Sequence, residues 1–188
     1  MYYAGSVCSI LSTIHDFVSI SDMNSLPNLM GFLSLICYVL SMVPGVGRFL
    51  RPSLLKTTLW MKHLVKHRRH YGVAAFGFGL IHGVWIGIAR QLDFSNPKTW
   101  LTYFQGITLL IIFTLLGGTS NNWSVRYLKT KWKKLHYLTY LVLLVLPWHI
   151  YDKMRDHWSW ITYISLGLIL TTGFLFILRR RVEAKKRK

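Results

Sequence analysis

Two histidines stand near the ends of one apolar run. In KTKWKKLHYLTYLVLLVLPWHIYDK a basic stretch stops at Lys134, an apolar one runs from Leu135 to Tyr151, and His136 and His149 lie thirteen residues apart within it. On a helix that spacing rises about 20 Å, most of the way across a hydrocarbon core of roughly 30 Å. An imidazole at membrane depth is costly unless paired or liganded, so two on one span point to function. His82 lies thirteen residues after Arg69, the end of another basic cluster, and His149 lies fifteen after Lys134. If both segments run the same way, those offsets differ by only about 3 Å in depth. Two facing imidazoles at one depth in a helical bundle are a means of clamping a heme iron from both sides.

The surroundings of His82 agree with a cofactor. Gly79, Gly83 and Gly87 repeat at four-residue intervals around it, with Gly72 on nearly the same face. A face without side chains admits a neighbouring helix or a flat macrocycle. The bland alternative is a small-residue helix contact with His82 hydrogen-bonded to a Ser or Thr; the matched depth of His149 weighs against it. His136 sits at the inner boundary, where a lone histidine is usually only solvated. A second, inner heme through His136 needs a partner near position 69. His70 has the right depth, but twelve residues place it about 120° round the helix from His82. His67 is about 60° round but one turn deeper in the basic segment. Pro147 offers a kink that rotates the other helix just before His149. Arg68, Arg69, Lys133 and Lys134 read most simply as topology determinants, with heme propionates or a flavin phosphate as the alternative partners, Arg69 foremost.

The elements that position these residues are membrane spans. Of 188 residues, 52% are hydrophobic and only 15% charged, below the roughly 25% charged of soluble domains. The net charge of +17 invites a nucleic-acid reading. The positive residues, however, cluster between apolar runs, as the positive-inside rule requires, and no nucleic-acid partner is needed. Cys8 and Cys37 lie in apolar surroundings without a CxxC or CxxCH, which removes covalent heme attachment, a zinc site and a disulfide framework. The first twenty residues have no basic n-region and no clear small-residue cleavage site, so no cleaved signal peptide is expected.

The pattern predicts an all-α, multi-pass transmembrane bundle with five clear spans, at 29–47, 71–89, 100–118, 135–151 and 159–178. Residues 3–20, interrupted by His15 and Asp16, make a weak sixth span or an interfacial helix. Residues 1–28 are thus an N-terminal segment, 29–178 the transmembrane heme domain, and 179–188 a basic tail. Pro44 and Gly45 break the first span near its end. Segments 48–70, 121–134 and 179–188 hold most of the Lys and Arg, each separated from the next by two spans, and are assigned to the cytoplasmic side. Connectors 90–99 and 152–158 then face outward, with Trp100, Trp148, Trp158 and Trp160 as an aromatic belt.

At this point the motifs carry a resemblance. HRRHYGVAAFGFGLIH resembles the Arg-Arg-x-x-Gly-x-x-Ala-Phe…His signature of the bacterial MsrQ/YedZ proteins. These are heme-binding membrane subunits of a methionine sulfoxide reductase system, within the ferric reductase-like transmembrane superfamily. LLGGTSNNWSVRYLKTKWKKLHYLTYLVLLVLPWHI is similar to a second family motif through Thr119, Ser120, Arg126, Leu128, Trp132, Leu135, His136, Tyr140 and His149. The resemblance, over about residues 29–178, implies b-type heme held by His82 and His149 as axial iron ligands, with His136 also implicated. It implies an FMN-associated electron path from a cytosolic flavin reductase, or from quinol, to an outer-side acceptor, in that system a periplasmic molybdopterin enzyme. It places the chain in a bacterial inner membrane among lipid.

The residues depart from the pattern in the polar first segment and in the extra histidines before the Arg-Arg pair. No GxGxxG or Walker-type loop is present, and no domain large enough for NAD(P)H or FAD remains outside the spans, so reducing power must come from a separate polypeptide. The expectation is an electron-transfer subunit of an oxidoreductase system. Its rivals are a ferric or cupric reductase of the same fold and a heme-free membrane scaffold. A proton or metal transporter is disfavoured, since the clear spans lack an acidic partner.

Overall fold

A computed structural model describes residues 26–50, 58–93, 95–155 and 158–185, which form helices and their connections without strands. The weak N-terminal segment, with Cys8 and His15, lies outside the described residues, as does His157. The helices are α1 (Leu26–Leu50), α2 (Leu59–Ala89), α3 (Pro97–Gly118), α4 (Asn122–Leu128), α5 (Thr130–His136), α6 (Leu138–Met154) and α7 (Trp160–Lys185). Four of them, α1, α2, α3 and α7, are long and apolar enough to cross a membrane. Helix α6, the fifth span of the sequence pattern, has 17 residues, the lower end of the roughly 17–25 that suffice.

Several helix ends differ from the apolar pattern, each for a local reason. Helix α2 starts at Leu59, twelve residues before the apolar run at 71, and absorbs much of the basic segment. No Pro or Gly stands between Leu59 and Tyr71, and Leu, Met, Lys and Arg are good helix formers. Its 31 residues rise about 46 Å, beyond the hydrocarbon core, so the first turns carry Lys62, Lys66, Arg68 and Arg69 out of it. Helix α1 continues through Pro44. Its end is tied to α7, because Arg179 Nη1 donates to the Gly45 carbonyl at 2.9 Å. The basic tail is helical to Lys185, supported by an Arg179–Glu183 pair one turn apart at 2.7 Å.

His136 and His149 do not share one uninterrupted helix. Lys129, with φ of 46°, separates α4 from α5. At Tyr137 the chain tightens: Tyr137 N–H donates to Lys134 O and Tyr140 N–H to Tyr137 O, both three-residue bonds. His136 therefore ends α5, while His149 lies on α6.

The five long helices close into a ring in which α1 packs on α2, α2 on α3, α3 on α6, α6 on α7 and α7 on α1. The ring's core is apolar, with Leu35, Tyr38 and Met42 of α1, Ala75 of α2, Ile112 and Phe113 of α3, Val142 of α6 and Ile169 of α7. Two of its buried hydroxyls bond across helices: Ser34 Oγ donates to Ala75 O at 2.7 Å and Tyr38 OH to Thr139 O at 2.7 Å. Helices α2 and α6 are not neighbours in this ring; they face each other across it. That placement sets His82 opposite His149.

Candidate functional site

The His82 and His149 rings approach with centroids 6.5 Å apart and planes at 84°. Both line one cavity of about 410 Å³, within the range of small-molecule and cofactor sites. His82 is oriented from behind: its Nδ1 lies 2.6 Å from the carbonyl oxygen of Pro27 at the start of α1. A carbonyl only accepts, so Nδ1 carries the proton and Nε2 keeps the lone pair that binds metal. His149 Nδ1 is fully buried and without a hydrogen-bond partner.

A shared-iron geometry can be tested on these numbers. A metal–imidazole bond is about 2.0 Å and a ring centroid lies about 1.1 Å behind its nitrogen, so two imidazoles on one metal have centroids about 6.2 Å apart. The observed separation fits an iron between the rings. The donor set also fits. Two imidazoles leave a bare ion under-coordinated, whereas a macrocycle fills the equatorial positions and asks only for axial ligands. Among the described residues no group of three or more His, Cys, Asp or Glu could hold a metal ion.

Each ring backs onto a glycine of an adjacent helix. A Cβ at Gly31 would lie 3.1 Å from His82 Nδ1, and one at Gly106 would lie 3.2 Å from His149 Cε1. These two glycines, Gln105 and the Pro27 carbonyl escape a reading by spacing along single helices. A polar Gln inside an apolar span is the one signal that marks the place. The predicted glycine face is realised in part. Gly79 admits Phe113 and Ser34 and Gly83 admits Leu110, and both line the cavity; Cβ atoms at Gly72 and Gly87 would meet nothing within 4 Å.

One rim of the cavity is polar. Arg90 Nη1 donates to Tyr103 OH at 3.0 Å, and Lys153 Nζ lies 2.8 Å from Asp152 Oδ2 and donates to Thr102 O at 2.7 Å. Asp152 stands just past the apolar run, and the Lys153 hydrogen bond holds its carboxyl below the usual carboxylate range. Gln105 Nε2 donates to the same Asp152 oxygen at 3.2 Å.

The remaining predicted residues gather at the other end. His136 stacks on Trp132 with centroids 3.9 Å apart, its Nδ1 lying 3.3 Å from the Trp132 carbonyl. His70 is exposed, and its ring neighbours His67 at 5.4 Å. No ring contact joins His136 to His70 among the described residues. Arg69 has protein partners: Nε donates to Ser120 O and Nη1 to Asn122 Oδ1 at 2.7 Å. Trp132 Nε1 donates to Thr119 O at 3.0 Å, so the loop after α3 is held from both α2 and α5.

Residues 30–147 match the model of a family described as ferric reductase like transmembrane component. The chain is 36% identical over 110 residues to a protein-methionine-sulfoxide reductase heme-binding subunit MsrQ of Agrobacterium fabrum, covering 52% of this chain and 49% of that one. It is 32% identical over 84 residues to the MsrQ of Brucella anthropi (42% and 38%) and 33% identical over 85 residues to that of Brucella ovis (43% and 39%). The matched part thus spans half or less of each relative's length. No solved structure matches the chain.

Proposed function

The chain belongs to the ferric reductase like transmembrane family, and we propose that within it the protein is a heme-binding subunit that carries electrons across a membrane. It is an all-α, multi-pass membrane protein, so the cofactor and the partners are what the proposal adds. The observation that carries it is the His82–His149 pair, with centroids 6.5 Å apart across one cavity. The MsrQ relatives, named as heme-binding subunits of a protein-methionine-sulfoxide reductase, support the same cofactor and a partner protein.

His82 and His149 would hold b-type heme as axial ligands, through Nε2 in the case of His82. Bound there, heme would supply one-electron exchange. The chain's own residues fix orientation and depth. Pro27 O holds the tautomer of His82, Gly31 and Gly106 let the ring helices close on the imidazoles, and Phe113 and Leu110 keep the cavity wall apolar.

The donor is proposed to be a cytosolic flavin reductase, with FMN in the path, or a membrane quinol; the acceptor is a redox protein at the outer side, such as an enzyme repairing oxidised methionine. Residues 29–178 form the heme domain, with the three basic segments cytoplasmic. His136, stacked on Trp132 at the inner end, marks where electrons enter. One heme is proposed; an inner second one requires His136 to find a partner such as His70.

The test is an absorbance spectrum of detergent-purified protein, oxidised and reduced, beside His82→Ala and His149→Ala. A low-spin b-type spectrum lost in both variants supports the axial pair. A colourless wild-type protein after growth with ample heme rejects the reading in favour of a heme-free scaffold.

A further inference from the structure

Among the described residues two buried side-chain atoms have no hydrogen-bond partner: Gln105 Oε1 and His149 Nδ1. Buried polar atoms are rarely left unmet, and an orphan calls for an explanation. These two are complementary, because the amide oxygen accepts and, in the tautomer that frees Nε2, Nδ1–H donates. They also belong to one place. Gln105 precedes Gly106, where a Cβ would lie 3.7 Å from His149 Nδ1, so that nitrogen faces α3 at this level. Gln105 Nε2 is already committed to Asp152 Oδ2, and Asp152 lies three residues beyond His149 on α6. Flipping the amide would turn its oxygen against a carboxylate, so Oε1 is the end left free.

We propose that Gln105 is the positioning residue of His149: its Oε1 accepts, through one bridging water, the hydrogen bond that Nδ1–H donates. This rests on the heme reading above. It gives each axial imidazole its own acceptor, a backbone carbonyl on α1 for His82 and a side-chain amide on α3 for His149. Such outer partners fix the tautomer and ring orientation and raise the ligand's basicity. A more basic imidazole favours the oxidised iron, so Gln105 lowers the midpoint potential. The backbone acceptor of His82 cannot be removed by substitution, whereas Gln105 can be, which makes α3 the adjustable side of the site.

The experiment compares the wild-type, Gln105→Leu and Gln105→Glu proteins, each purified with heme. It reads the midpoint potential and the g values of the low-spin ferric signal. Leu fills the space without an acceptor; Glu, made in an Asp152→Asn background and read against Asp152→Asn alone so that its second oxygen meets no carboxylate, keeps an acceptor and strengthens it. The expected result is a raised potential for Leu and a lowered one for Glu, with g values moving in opposite senses. A merely structural role through Asp152 shifts both variants the same way, and a through-space charge moves the Glu potential while leaving its g values in place; either result overturns the proposal. If Gln105→Leu loses heme, Gln105→Glu alone decides by the same two readouts. Wild-type protein without heme rejects the functional reading and this inference together. A wild-type spectrum that His149→Ala abolishes and neither Gln105 variant shifts rejects the inference alone.

Discussion

Gly31 of α1 lies flat against the His82 ring, so close that a Cβ there would sit 3.1 Å from Nδ1 and 3.2 Å from Cε1. The same relation recurs between Gly106 of α3 and His149. The two imidazoles are therefore set by backbone surfaces as well as by their own helices. Overpacking such a contact costs about 1–3 kcal/mol, and about 1.4 kcal/mol is a factor of ten in affinity. Gly31→Val and Gly106→Val should each weaken heme retention about tenfold, read as heme per polypeptide after a competitive chase with apomyoglobin. Gly87→Ala is the control. A Cβ there meets nothing within 4 Å, so heme should be retained and the helix gain about 0.5–1 kcal/mol. Equal retention in all three variants would remove the glycines from the site.

Arg69 is bonded to the loop after α3. Its guanidinium spans Ser120 O and Asn122 Oδ1, while Trp132 Nε1 reaches Thr119 O from the other side. Arg69→Ala should lower the melting temperature in detergent by an amount worth no more than about 1 kcal/mol, because the contact is exposed, and leave the heme spectrum unchanged. Arg69→Lys should not restore it, since a point charge cannot make both bonds of a planar fork. Loss of heme in Arg69→Ala would instead assign Arg69 to the cofactor.

What the sequence made legible follows from what can be counted along one helix. The matched depth of His82 and His149 is a difference of two offsets from basic clusters, and the rings do meet. Which helices neighbour each other is not countable in that way. Gly31, Gly106, Gln105 and the Pro27 carbonyl act on rings carried by other helices, so no periodicity points to them. Helix ends were also obscure, since hydropathy stops where charge begins but hydrogen bonding does not. Helix α2 runs through Lys62, Lys66, Arg68 and Arg69, and α7 runs through Arg179–Arg181, because Lys and Arg are good helix formers and leave the backbone hydrogen bonds intact.

Tyr38 ties α1 to α6 at the core. It is 3% exposed, and its hydroxyl donates to Thr139 O at 2.7 Å in the first turn of α6. Tyr38→Phe keeps the ring against Phe113 and removes only that donor. The change should cost about 0.5–1.5 kcal/mol, the net worth of one intramolecular hydrogen bond, since Thr139 O keeps its helical donor, and is measured by unfolding in detergent with increasing denaturant. The site lies at the far end of α6, so the oxidised and reduced spectra should remain those of the wild type. A change of spectrum without loss of stability would mean that α6 pivots on this bond.

Sidedness can be decided from two exposed positions. Ser95 lies in the connector between α2 and α3, and Lys131 lies on α5 within the second basic segment. If the basic segments are cytoplasmic, one face of the membrane reaches Ser95 and the other reaches Lys131. In a background with Cys8 and Cys37 replaced by Ser, Ser95→Cys should react with an impermeant maleimide in right-side-out vesicles, and Lys131→Cys only after lysis. That result puts the His82–His149 pair nearer the outer face and leaves His136, at the inner end, as the approach for a cytosolic donor. The opposite labelling would move the donor to the other side and place the cavity rim, with Arg90, Tyr103 and Lys153, in the cytoplasm.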